Sequence, residues 1–469
     1  MSNKNSRIPE LLQPDRGQTA IAIHTVTGDG FDAWKKSLTT GQAASLAAQT
    51  FEGSAGQTAI VPGGPNDPDG WYAVAGVADT DTLSPWCLAR LAEVLPEGSY
   101  RLAQGEPGAA VHGWQTAQYR FDRYKKDDTA KGPRILLTGA VNAIDRAMAE
   151  ARAEHLVRDM VNTPAEDMGP AAIEGLAEDV AKRHGATLQV TKGEALERDY
   201  PMIHAVGRAA ARHHAPRLIR IEWGRETDPK IAIVGKGVCF DSGGLDVKSA
   251  VGMKLMKKDM GGAAHALALA DLVMGAQLPV RLHMLIPAVE NAISSNAFRP
   301  GDVLQSRQGL TVEIGNTDAE GRLVLGDALT RASEDEPEFI IDFATLTGAA
   351  RVALGPDFPA LMCRRDETAA DLVAAGEPHG DTPWRLPLPD EYREWLNSDI
   401  ADMNNAHGNP YAGASVAGLF LDKFVTDGID WAHFDTFAWR PFAKPGQPKG
   451  GAAYGLRAAF HMLLARYPR

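Results

Sequence analysis

Seven charged side chains in two short stretches are the part of this sequence most suited to chemistry. The first stretch is Val234-Gly-Lys236-Gly-Val-Cys-Phe-Asp241-Ser-Gly-Gly, followed by Lys248 and Asp259. The second is Asn316-Thr-Asp318-Ala-Glu320-Gly-Arg322-Leu. Four carboxylates gathered in one cleft repel one another unless cations intervene. Carboxylate oxygens suit hard or borderline divalent ions. A pair of such ions can lower the pKa of a shared water and polarise a carbonyl. The expected chemistry is hydrolysis assisted by two metal ions.

The cationic members have narrower options. Lysine ligates a metal only when neutral, which requires the metal to depress its pKa. Lys236, in the tightest turn, suits that part best. Lys248 and Arg322 stay charged, one to stabilise an oxyanion and the other to hold an anion or orient water. Alone, Asp-Ser-Gly-Gly reads as a turn and Asp-Ala-Glu-Gly as an acidic helix start. Together, each after an apolar strand, they point to a site. Other catalytic signatures fail. Phe240 stands where a dinucleotide fingerprint needs its third glycine, and the chain has no G-x-x-x-x-G-K-[ST], H-E-x-x-H or G-x-S-x-G. His213 and His214 read as surface residues, and His265 as a packed one.

Strand ends must bring the two stretches together. Apolar runs at 218–223, 230–234, 280–286, 311–314 and 339–343 predict strands, and periodic patterns at 171–184, 261–274 and 323–333 predict helices between them. Such alternation predicts a mostly parallel sheet flanked by helices, whose ligands sit beyond the carboxyl ends of the strands. The runs 230–234, 311–314 and 339–343 would all end at one crevice. Upstream, strands are predicted at 20–26 and 71–77 and helices at 41–50 and 83–95, giving a smaller α/β domain over 1–140. The segment 120–131 mixes both signs and reads as a solvated loop. A helix over 142–161 should stop at Asn162-Thr-Pro164, because proline disfavours helical geometry in the residue before it. It serves as a connector (141–164) to a catalytic domain over 165–469.

Composition bounds the partners. The chain has 469 residues, enough for two domains. Its net charge of −12 opposes nucleic acid and anionic lipid. Three scattered cysteines fit neither a disulfide framework nor a zinc knuckle and favour a reducing compartment. No signal peptide or membrane-spanning run is evident, so a cytoplasmic enzyme is expected.

The octapeptide starting at Asn316 resembles the signature of the leucyl aminopeptidase family, the cytosolic two-metal exopeptidases also called peptidase family M17. The blocks around Lys236, Asp241 and Lys248, and Met256-Lys-Lys-Asp259-Met-Gly-Gly-Ala, are similar to further blocks of that family. So are Val161-Asn-Thr-Pro, Ala344-Thr-Leu-Thr-Gly-Ala and Gly413-Ala-Ser-Val-Ala-Gly. The resemblance covers about residues 155–460 and implies roles. Lys236, Asp241, Asp259 and Glu320 would hold the tighter metal. Asp241, Asp318 and Glu320 would hold the exchangeable one, Asp318 also through its carbonyl. Lys248 would stabilise the tetrahedral intermediate, and Arg322 would bind a bicarbonate acting as base. Met256, Thr345 and Gly348 would line the pocket for the first side chain. The implied activity is removal of the N-terminal residue, Leu-like preferred, from peptides by a two-metal mechanism with a bridging hydroxide. The ions would be Zn²⁺ or Mn²⁺, with Mg²⁺ or Co²⁺ as alternatives. A homohexamer with a macro-like N-terminal domain is also implied.

Overall fold

The computed structural model describes residues 10–65, 67–125 and 132–469. The segment 126–131, half of the expected solvated loop, lies outside them. The chain divides into two compact units. One takes the residues up to His155 with Pro378–Gly380 and Phe442–Lys449; the other takes Leu156–Glu377, Asp381–Pro441 and Gly450–Arg469.

The first unit is built on a six-stranded sheet of β1 (Leu12–Pro14), β2 (Ile21–Val26), β3 (Thr58–Pro62), β4 (Trp71–Gly76), β5 (Gly98–Leu102) and β6 (Arg134–Thr138), in the order β1-β6-β5-β2-β4-β3. Only β3 runs antiparallel to its neighbour. Tyr100 and Trp114 anchor its main core, and both are fully buried. The helix expected at 83–95 is shorter, Ala89–Val94. Pro85 interrupts the pattern: it has no N–H to give, and its carbonyl accepts from Gly113 N at 2.9 Å rather than serving a helix. The helix Val141–Asn162 ends just ahead of Thr163-Pro164.

The second unit carries a larger sheet. Its strands are β7 (Thr187–Lys192), β8 (Arg217–Trp223), β9 (Lys230–Gly235), β10 (Gly237–Asp241) and β11 (Arg281–Asn291). The chain then forms β12 (Val303–Gln305) and β13 (Thr311–Glu313), and returns for β14 (Phe339–Ala344), β15 (Ala360–Cys363) and β16 (Trp384–Arg385). After β17 (Met403–Asn404), it contributes β18 (Asp430–Asp435). The order is β16-β15-β18-β14-β9-β11-β8-β7, with β10 on β11. The centre, β11-β9-β14-β18, is parallel. β8 joins β11, β7 joins β8, and β15 joins β18, all antiparallel.

One expectation fails. The run 311–314 does not join this sheet: β13 pairs with β12 and β17 in a separate three-stranded sheet. Strand propensity says that a segment is extended, not which sheet receives it. β11 is unusually long. Its first half pairs with β9 (Arg281↔Lys230 to Leu285↔Val234) and its second with β10 (from Gly237↔Ala288).

The helix Gly261–Gly275 is buried on nearly every face, as an all-round apolar sequence requires. Gly262 lets it close on the sheet, since a Cβ there would lie 2.1 Å from Phe343 O. Under the opposite face, Asp342 on β14 accepts from Trp431 Nε1 at 2.7 Å and pairs with His433 Nδ1 at 2.6 Å, all without solvent exposure. Burial disfavours a charge on His433, but Asp342 outweighs it and raises the imidazole pKa. Asp342→Ala should destabilise the fold by about 3–5 kcal/mol, because it strands a buried indole N–H and an imidazole. Urea unfolding measures this. The raised pKa sets the sign with pH: the pair's contribution is fully present below the ordinary histidine value of about 6.5 and fades as pH rises through the folded value.

Candidate metal centre and active site

The cleft begins at Lys236, the hinge residue between β9 and β10. Its N–H donates to Phe343 O at 3.0 Å, and its carbonyl accepts from Ala263 N at 2.7 Å. β14 and the helix Gly261–Gly275 therefore fix it from two sides. Its stem needs the gap left by Gly321, where a Cβ would lie 2.6 Å from both Lys236 Cε and Nζ. Asp241 ends β10. Asp259 lies in the short 3-10 turn Met256–Met260, and Glu320 opens the helix Glu320–Ser333.

These elements converge. One carboxylate oxygen each from Asp241, Asp259 and Glu320 lie within 4.8 Å of one another, and all three residues are buried. Lys236 Nζ lies 2.8 Å from Asp259 Oδ2 and 2.9 Å from Glu320 Oε1. Lys248 Nζ lies 2.8 Å from Asp241 Oδ2 and also meets Asp318 Oδ1. Yet Asp259 Oδ2, Asp318 Oδ1 and both oxygens of Glu320 lack a partner with hydrogen-bond geometry. Buried carboxylate oxygens without donors are costly. Their convergence with one amine is the donor set a divalent cation takes, so the residues fit a metal pair.

The electrostatics agree. Burial, then Asp241, pushes the Glu320 carboxyl up to about 8; burial, then Asp241, lifts Asp318 to about 6. Burial also opposes charge on Asp259, but Lys236 and Lys258 outweigh it and hold it below the usual carboxylate range. Burial pulls at Lys236 too, yet Asp259 and Glu320 keep it firmly protonated. Cation-free, the site thus retains protons that dications would displace.

Two loops from distant parts of the sequence are laced together around this cage. Thr317 N donates to Asp246 Oδ2 at 2.7 Å, Asp246 N returns to Thr317 Oγ1 at 2.9 Å, and Thr317 Oγ1 donates to Gly243 O at 2.6 Å. Gly243 takes a left-handed φ of 87° in this turn, which glycine adopts at little cost. Asn291, last in β11, donates from Nδ2 to Asp241 Oδ1 at 2.8 Å and to Thr317 O at 3.1 Å. Asn405 is fully buried. Its Oδ1 accepts from Gly315 N (2.9 Å) and Asn316 N (3.2 Å), and its Nδ2 donates to Asn316 O at 2.8 Å. Its carbonyl takes Arg322 Nη1 at 2.6 Å. Burial lowers Arg322 to about 10, so it remains a cation.

Of the pocket candidates, Thr345 touches the cage directly. Thr345 Oγ1 donates to Asp259 Oδ1 at 2.7 Å, Met256 opens the turn that carries Asp259, and Gly348 begins the helix Gly348–Leu354. Asp435 on β18 fixes the intervening loop: its carboxylate accepts from Leu346 N, Thr347 N and Thr347 Oγ1 at 3.0, 3.1 and 2.6 Å. Sequence reasoning named none of Asn291, Asn405, Asp435 and Asp246. His265 is packed as expected, stacked on Phe343 with its Nδ1 against Gly261 O. His214, expected at the surface, is instead buried and paired with Glu290; only His213 is exposed.

Residues 155–460 match the cytosol aminopeptidase family, catalytic domain, and residues 21–137 match the M17 aminopeptidase, N-terminal domain. A probable cytosol aminopeptidase of Syntrophotalea carbinolica is 40% identical over 370 residues, 75% of this chain and 74% of the relative. The crystal structure of the cytosol aminopeptidase from Coxiella burnetii superposes with a TM-score of 0.91 at 43% identity, covering 98% of this chain and 100% of that one. The bottromycin maturation enzyme BotP in complex with Mn gives a TM-score of 0.85 at 31% identity, covering 96% and 99%.

Proposed function

The chain belongs to the cytosol aminopeptidase family, and from that premise we propose that it removes Leu-like residues from peptide N-termini with two divalent cations. That it is a metal-dependent aminopeptidase acting on peptides follows from the family. The finer reading rests on one observation: the buried carboxylates of Asp241, Asp259 and Glu320 converge, and Asp259 Oδ2 and both Glu320 oxygens have no donor with hydrogen-bond geometry.

In this reading Lys236, Asp241, Asp259 and Glu320 would hold one ion. Asp241, Asp318 and Glu320 would hold the other, Asp318 also through its carbonyl. Zn²⁺ or Mn²⁺ suits this set best, with Mg²⁺ and Co²⁺ as alternatives. When bound, the pair supplies an acidified water and a polarised substrate carbonyl. Lys236 must give up its proton to ligate, which a dication at the same carboxylates promotes. Lys248 donates to the carbonyl oxygen as negative charge develops there. Arg322, anchored through one nitrogen to Asn405, would hold a bicarbonate, which would supply a general base. Met256, Thr345 and Gly348 receive the first side chain.

The test is a panel of aminoacyl substrates after chelation and readdition of single metals. Hydrolysis should vanish with chelator, return with Zn²⁺ or Mn²⁺, favour leucyl over charged residues, and fail on N-acetylated substrates. Equal turnover of blocked substrates would remove the aminopeptidase reading. Asn405→Ala is expected to cost about 10–100-fold in metal affinity or activity, the usual penalty for losing a group that orients ligands; metal titration against kcat/KM checks it. We also place the enzyme in the cytoplasm as a homohexamer, and light scattering should give six times the 50.2 kDa chain mass. Among the described residues no helix is long and apolar enough to cross a membrane.

A further inference from the structure

A hollow of about 540 Å³ opens in the second unit, lined by none of the residues of the metal cleft. Its walls are the helices Gly193–Asp199 and Pro201–Gly207, the turn Arg212–His214 and the loop following β11. Arg208, Arg212, Arg299 and His204 face it, against a single acid, Glu197. In a chain of net charge −12, three guanidiniums around one hollow are a local reversal of sign.

Their bonding leaves two of the three, Arg208 and Arg212, without a carboxylate partner among the described residues. Arg208 donates through Nε to Asn296 O at 2.8 Å, and Asn296 Nδ2 returns to Arg208 O at 2.9 Å. That clamp fixes the guanidinium but supplies no counter-charge. Arg299 is ion-paired with Asp302, but through Nε alone, at 3.2 and 3.3 Å, so its terminal nitrogens stay uncommitted. Three planar forks with uncommitted terminal nitrogens match the paired oxygens of phosphate or carboxylate. Like charges held together gain when an anion enters.

We propose that this hollow binds a small anion bearing phosphate or carboxylate groups. The volume falls in the small-ligand range of roughly 300–1,000 Å³. No Phe, Tyr or Trp lines it, so a nucleobase would find no large stacking platform there. The anion is a compact metabolite rather than a nucleotide.

The test uses calorimetry on the full-length, metal-loaded protein, with glycerol 2-phosphate and glutarate as separate probes. One saturable site per chain is expected with at least one probe, and the stronger binder identifies the preferred group. The affinity should fall as salt is raised. Arg212 and Arg299 are both exposed, so the double variant Arg212→Ala, Arg299→Ala should fold; its leucyl hydrolysis should match the parent while probe affinity falls about tenfold or more. Absence of saturation with both probes overturns the proposal. So does binding that survives the double variant, since that would locate the anion elsewhere.

Discussion

Glu320→Ala is expected to lower kcat/KM on leucyl substrates by about 10³-fold or more, a loss of roughly 4 kcal/mol of transition-state stabilisation. It should also release metal. Glu320 is buried in the cleft, neither of its oxygens has a hydrogen-bond donor, and its carboxyl is raised to about 8 by burial and by Asp241. Such a group gains most from a cation, and its removal takes a shared ligand from both proposed positions. Elemental analysis of the purified variant should find fewer ions per chain, with the fold retained by circular dichroism. Normal turnover with a full metal complement would refute the assignment.

Lys248→Ala separates chemistry from charge balance. Lys248 Nζ lies 2.8 Å from Asp241 Oδ2, so a merely neutralising lysine would be missed chiefly in metal retention and thermal stability. A lysine that donates to the developing oxyanion is missed in the rate instead. We expect kcat to fall about 10²–10³-fold, with KM little changed and both ions retained. The opposite pattern, near-normal kcat with lost metal, would reassign the residue to holding the cage together.

The seven charged residues were legible because each sits in a short stretch where apolar strand, glycine turn and acid follow in order. Asp241 and Glu320 could be placed near strand ends from that order alone. Asn405 and Asn291 could not. Each is a single amide whose importance comes from hydrogen bonds spanning up to 90 residues of sequence, from Asn405 to Gly315 among them, and no local period marks such a residue. Asp435 was hidden for the same reason, lying at the end of a strand that reads as ordinary core. The misplacement of 311–314 has a related cause. Its extended conformation was written locally, but its partners Val303–Gln305 and Met403–Asn404 are chosen by tertiary packing. His214 went wrong because nothing in the sequence joins it to Glu290, 76 positions away.

The gap at Gly321 has an evolutionary corollary. The position bears no functional group, yet the amine's stem occupies the space where any side chain would begin. In a saturation library selected for activity, alanine at 321 should be depleted, since room for it comes only by moving the Lys236 amine off its carboxylates, an intolerance that a survey of reactive groups alone would overlook.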